Sequence, residues 1–223
     1  MDLHKGHRER VKQEFLSGGL EHFSEIRALE LLLFYSRRQG DVNELAHGLI
    51  NTFGSLAGVL DAEPAQLIQV PGVGENTAVL LKLVTAMAGK YLASRSSVDT
   101  VLGGAHEIRQ LFAPYFFGAK NEMAYLACMD GKLKVLGIRK LGEGSPNATD
   151  ITARQVASAV LSLNATVVVL AHNHISGVAT PSEADLATTA YLKNFLSKMN
   201  VTLYDHVILV DDDMLSLRES HYL

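Results

Sequence analysis

A chain of 223 residues that is 48% hydrophobic has material for one large core or two small ones, and its single cysteine, Cys128, excludes an internal disulfide. Residues 1–97 hold 10 Lys+Arg against 11 Asp+Glu and residues 98–223 hold 10 against 13, for a formal net charge of −4; this excludes a strongly basic nucleic-acid domain and leaves only local contacts. No window nears the roughly 20 apolar residues of a membrane span, and the charged start MDLHKGHRERVKQEF has no apolar signal region, so the chain is read as cytoplasmic with no membrane partner.

The first 95 residues read as helical. HRERVKQEFLSGGL is an amphipathic piece stopped by Gly18-Gly19. FSEIRALELLLFYS has Ser24 as N-cap and apolar residues at helical spacing. DVNELAHGLINTFGS is a helix closed by Gly54, and EPAQLIQV leads into the helix of PGVGENTAVLLKLVTAMAGKYL. These short helices with brief turns predict an all-helical bundle over 1–95, followed by a Ser- and Gly-rich linker over 96–104.

The pattern changes beyond the helix AHEIRQLFAPYF. EMAYLACM and KLKVLGIRKLG read as strands joined at Asp130-Gly131, a hairpin signal. TARQVASAVLSLN is helical, ATVVVLAHNH is a buried β-branched strand, and PSEADLATTAYLKNFLSKMN is a helix. VTLYDHVILV and MLSLRES close the chain as strands. The order β-β-α-β-α-β-β predicts an α/β domain over 105–223, with helices packed on a mixed sheet.

One strand runs into His-x-His. Alternate strand residues share a face, so His172 and His174 point together and Asn173 turns away. Asp185 lies on the first turn of the next helix and can swing back to the strand end. Two imidazoles and a carboxylate form a common catalytic zinc set, with the fourth tetrahedral position left for water. Ser182-x-x-Asp185 reads equally as a capping box, and the two readings are compatible: a cap would hold both residues at the mouth of the site.

These residues resemble a known family. H-N-H-x7-S-x-x-D, from His172 through Asp185, has the spacing of the JAMM (MPN+) metalloprotease signature. AHNHISGVATPSEADL, with the later DHVIL and LSLRE, resembles the RadC-like branch, and FGSLAGVLDAEPAQLIQVPGVGENTA resembles its helix-hairpin-helix region. The resemblance implies a JAMM/MPN-like, cytidine-deaminase-like mixed sheet behind the bundle. It implies zinc held by His172, His174 and Asp185, with Ser182 donating to the oxyanion of a tetrahedral intermediate. It also implies an upstream Glu as general base and then acid. Glu122, opening an early strand, is the choice, with an exposed strand-start residue as its plainer reading; Glu143 in LGEGSP is its competitor, with a glycine turn as the plainer reading. The substrate would be a protein or peptide.

The chain departs from the family pattern in two places. Ile175 stands where Pro is usual, removing a fixed φ from the loop after His174. TARQ replaces H-P-R-E and keeps only Arg154. Asp205 and His206 match a D-H pair, with His206 read first as core and otherwise as a support behind a ligand.

In VPGVGENTA, Gly72, Val73 and Gly74 form a tight bend whose N–H groups could cradle a DNA phosphate at the next helix's start. Glu75 would repel that phosphate, and a packing hairpin is the plainer reading. The competing functional class is thus a DNA-repair accessory protein with a structural or vestigial metal site. No pattern in the sequence sets an oligomeric state.

Overall fold

The computed structural model describes residues 6–37, 42–95, 100–144, 151–175 and 178–223. The chain divides into two compact units, Met1–Ala88 and Gly89–Leu223.

The first unit is built of short, individually capped helices: α1 (His7–Gly18), α2 (Glu25–Ser36), α3 (Asn43–Phe53), α4 (Leu56–Asp61), α5 (Pro64–Leu67) and the start of α6 (Glu75–Arg95). Their ends follow cap chemistry. Ser24 Oγ accepts from the Arg27 N–H, and Gly54 ends α3 with φ +84°, a conformation that costs glycine little. The pattern did not predict α4. It is six residues long, is capped by Ser55 accepting from the Gly58 N–H, and packs so tightly after α3 that a Cβ on Gly58 would meet the Phe53 carbonyl oxygen at 2.2 Å. Leu29, Leu33, Leu49, Val59, Leu67 and Leu81 make a common core.

The second unit runs α7 (Ala105–Phe116), β1 (Met123–Met129), β2 (Val135–Glu143), α8 (Ala153–Ser162), β3 (Val167–Asn173), α9 (Glu183–Ser197), β4 (Thr202–Val210) and β5 (Asp213–Ser216). The sheet order is β2-β1-β3-β4-β5. β3 and β4 are parallel and the other neighbours antiparallel, the mixed sheet that the element order predicts. A parallel pair needs a crossover, and α9 provides it. Both faces of β3 are covered. Val168 and Leu170 pack with Val156 and Val160 of α8 and Leu192 and Leu196 of α9, while Val169 and Ala171 pack with Ile108, Leu111 and Phe112 of α7. Burial on both sides explains why VVVLA has no polar alternation.

Two details differ from expectation. Asp130-Gly131 does not form a two-residue turn. Asp130 Oδ1 accepts from the N–H groups of Lys132 (2.8 Å) and Lys134 (3.0 Å), and Leu133 takes the left-handed conformation (φ +62°). Five residues, 130–134, therefore separate Met129 from Val135, where β2 starts. The final strand stops at Ser216, and LRE continues as turn. In the segment read as linker, the Leu102 N–H donates to the Leu133 carbonyl (3.0 Å), and Leu102 is buried in the α7-side core.

Cys128 lies fully buried on the α8/α9 side of β1. Burial pushes its thiol up to about 11, against a smaller downward pull from Arg139. A raised pKa means that the folded state holds its proton more tightly. The associated stability is present below about pH 9 and is lost as pH climbs toward the folded value. Iodoacetamide at pH 8 is expected to leave native Cys128 unmodified and to label it once the chain is unfolded, as read by mass; rapid native labelling would contradict the burial.

Candidate metal centre

The site is built at the carboxyl end of β3, beside the start of the helix that leads back to β4. His172 is the penultimate residue of β3, and its neighbours on the same face are Leu170 and Val168, against α8 and α9. His174 follows the strand, and its N–H donates to the Leu209 carbonyl of β4 (2.9 Å), which keeps the chain extended for one more step. The two rings therefore converge, with 3.0 Å between their Nε2 atoms.

Asp185 reaches them from the first turn of α9. His172 Nε2 is 3.2 Å from its Oδ1, and His174 Nε2 is 3.5 Å from its Oδ2. One ligand atom from each of the three residues lies within 4.8 Å of the others. Bonds of about 2.05 Å to a tetrahedral zinc would set ligand atoms ~3.3 Å apart. The separations of His172 Nε2 from His174 Nε2 (3.0 Å) and from Asp185 Oδ1 (3.2 Å) are close to that value, His174 lies nearer Asp185 Oδ2 (3.5 Å), and the donor set suits the metal. Asp185 is 3% exposed and His172 6%, so the carboxylate and this ring are held out of water, while His174 is half-buried. Burial alone drives the Asp185 pKa up. The hydrogen bond and charge of His172, with two bonds from Ser182, outweigh burial and hold it well below the usual carboxylate range.

The capping box and the cluster coexist. The Ser182 backbone N–H (2.8 Å) and hydroxyl (2.7 Å) both donate to Asp185 Oδ2, and Ser182 Oγ accepts from the Asp185 N–H (3.2 Å). The box leaves Oδ1 to His172 and locks the carboxylate rotamer. Ser182 is exposed. Its single hydroxyl proton points to Asp185, so donation to a substrate oxygen requires the hydroxyl to turn.

Behind His172 stands His206, on the neighbouring strand. His172 Nδ1 lies 2.8 Å from His206 Nε2, and His206 Nδ1 lies 2.6 Å from Thr189 Oγ1. His206 is fully buried, a core residue in contact with His172. Burial first, then the neighbouring imidazole of His172, push its pKa well below that of an ordinary histidine, against an opposite pull from Asp185. Asp205 turns to the other side of β4, where its carboxylate accepts from the Ser216 hydroxyl (2.6 Å) and the Arg218 N–H (3.1 Å).

Glu122 sits immediately before β1 and is half-buried. β1 and β3 pair antiparallel with Ala124 opposite His172. Continuing that register by two residues brings Glu122 opposite His174, on the face carrying both histidines. Glu143 pairs with Met123, one residue out of phase and so on the opposite face. It is exposed, its carboxylate bonds to Lys140 and to Asn121 Nδ2 (3.4 Å), and its pKa is lowered by those two side chains. Asn173, which the strand pattern merely turned away, clamps this corner. Its Oδ1 accepts from the Met123 N–H (2.7 Å) and its Nδ2 donates to the Asn121 carbonyl (3.2 Å), fixing the peptides on either side of Glu122. The signal available in the sequence was an amide buried where a strand should be apolar.

The remaining predicted residues lie elsewhere. Ile175 is exposed beyond His174, and residues 176–177 of its loop are outside the described residues. Thr152 and Gln155 of TARQ form a capping box on α8, and Gln155 Nε2 donates to the Leu141 carbonyl (2.8 Å), a structural use. In the first unit, Gly72 bends the chain with φ +90°, Val73 is buried, and Gly74 accepts from the Thr77 and Ala78 N–H groups. Glu75 opens α6, so the helix start meets an approaching phosphate with negative charge.

Fold and site together define an α/β domain with a candidate His-His-Asp metal centre at a strand end. The RadC-like JAB domain model matches residues 102–222, and the chain belongs to that family. It is 31% identical over 219 residues to a UPF0758 protein of Ruegeria pomeroyi, covering 98% of each chain. It is 32% identical over 208 residues to a UPF0758 protein of Rhodobacter capsulatus, covering 93% of this chain and 97% of the relative. Among the described residues no helix is long and apolar enough to cross a membrane.

Proposed function

We propose that the chain is a zinc-dependent hydrolase of the JAMM kind, cleaving an amide or isopeptide bond in a protein or peptide. The carrying observation is the convergence of His172 Nε2, His174 Nε2 and the Asp185 carboxylate, with one ligand atom from each within 4.8 Å of the others, a three-ligand set that leaves one tetrahedral vertex for a non-protein ligand. His172, His174 and Asp185 would hold the ion. Zinc, when bound there, would lower the pKa of a water toward 7 and polarise the scissile carbonyl.

The chain's own groups do the rest. A Glu122 carboxylate oxygen takes the proton of the attacking water and returns it to the leaving nitrogen. The β1/β3 register and the Asn173 clamp support this role over Glu143, whose strand position faces the other way. Ser182, its hydroxyl turned from Asp185, donates to the carbonyl oxygen as negative charge develops.

Zinc-loaded full-length protein is expected to release new amine ends from a mixture of fluorogenic peptides and isopeptides. A chelator should stop the release and added zinc restore it. Equal release with and without the chelator would contradict the proposal.

A further inference from the structure

We infer that Thr189 and His206 form a hydrogen-bond relay that fixes the proton of His172 on Nδ1 and so presents its Nε2 lone pair to the metal. The inference rests on reading His172 as a metal ligand, and it assigns positioning roles to two residues that touch no substrate.

The donor inventory forces the direction of every bond. Thr189 lies one helical turn after Asp185, and its hydroxyl is 2.6 Å from the Asp185 carbonyl. A carbonyl only accepts, so the one hydroxyl proton of Thr189 goes there. The same oxygen is 2.6 Å from His206 Nδ1, and having no second proton to give, it must accept. His206 Nδ1 therefore carries a proton. Among the described residues no carboxylate lies on either ring nitrogen of His206, whose partners are Thr189 and His172, and the residue is 0% exposed. A charged imidazole without a counterion is costly in such a place, so His206 is neutral and its Nε2 bare. His172 Nδ1, 2.8 Å away, must then donate. With Nδ1 committed to His206, the nitrogen of His172 left for a metal is Nε2, which lies 3.0 Å from His174 Nε2 and 3.2 Å from Asp185 Oδ1.

The relay thus begins on the backbone of one ligand, Asp185, and ends on the ring of another, His172. It joins α9, β4 and β3 through side chains that are all nearly or wholly buried: Thr189 is 2% exposed and His172 6%. Reversing it would put the His172 proton on Nε2 and block the ligand atom. It would also leave the Thr189 hydroxyl oxygen and the Asp185 carbonyl oxygen 2.6 Å apart with no proton between them. Ligating histidines commonly bond a carboxylate or carbonyl through the other nitrogen. Here a second histidine does so, and it can accept only because a threonine sets its tautomer.

The test uses the full chain labelled with 15N-histidine, zinc-free and zinc-loaded, together with Thr189→Val and Thr189→Ser. Two-bond proton–nitrogen spectra of the wild type are expected to place the proton of both His206 and His172 on Nδ1. Thr189→Val, of nearly the same shape but without a hydroxyl, should bind zinc roughly 10- to 100-fold more weakly. Thr189→Ser should restore wild-type affinity. A His206 proton on Nε2 in the wild type overturns the relay, and so does a folded Thr189→Val protein that binds zinc as the wild type does. The wild-type spectra decide the matter even if Thr189→Val fails to fold. A wild type that binds no zinc yet shows both protons on Nδ1 upholds the relay and refutes the hydrolase reading instead.

Discussion

Replacing His172 and His174 together by alanine is expected to weaken zinc binding by roughly a thousandfold or more, with the fold retained. The loss is large because the double variant leaves Asp185 as the only protein ligand, and a single carboxylate competes poorly with water for zinc. The fold should survive because the rings sit at and beyond the end of β3, while the strand is held by Val168, Val169, Leu170 and Ala171, all fully buried. His206 loses its His172 partner in this variant, so a modest fall in melting temperature is expected. Zinc titration by calorimetry beside a thermal melt separates the two effects. A variant that melts normally and still binds zinc as the wild type does would remove these rings from the metal site.

Glu122→Gln is expected to keep the metal and lose hydrolysis, by about 100- to 10,000-fold in kcat, the range that a positioned general base contributes. The change is isosteric and removes only the capacity to accept a proton. Glu122 also sits outside the ligand cluster and before the first residue of β1, so neither zinc affinity nor melting temperature should move. Full activity in Glu122→Gln would end its assignment as base. Glu143→Gln is the matched control and should be silent, since that side chain is exposed and bonded to Lys140 and Asn121.

Much of this site could be read from the sequence because its parts obey short-range rules. Strand periodicity put His172 and His174 on one side, and the Ser182/Asp185 box follows from cap chemistry within one helical turn. The β-β-α-β-α-β-β order needed only hydrophobic period and turn residues. What stayed hidden depends on register between distant segments. Nothing local tells that His206 faces α9, or that Thr189 will meet it; that takes the parallel β3/β4 pairing, with Leu170 beside His206, together with the pitch of α9. The choice between Glu122 and Glu143 likewise turns on which residues of β1 and β2 stand opposite each other, and bulges shift that register twice. The β1–β2 hairpin was legible, but its turn was not. Asp130-Gly131 carries the signature of a two-residue turn, yet the Asp130 side chain binds two backbone N–H groups further on and moves the left-handed residue to Leu133.

The most direct test is the metal content of the full chain, purified without added metal, incubated with excess zinc and dialysed, then measured by elemental analysis. One zinc per chain is the expected result. A chain that retains none, while remaining folded by circular dichroism, would contradict the metal centre and the hydrolase built on it.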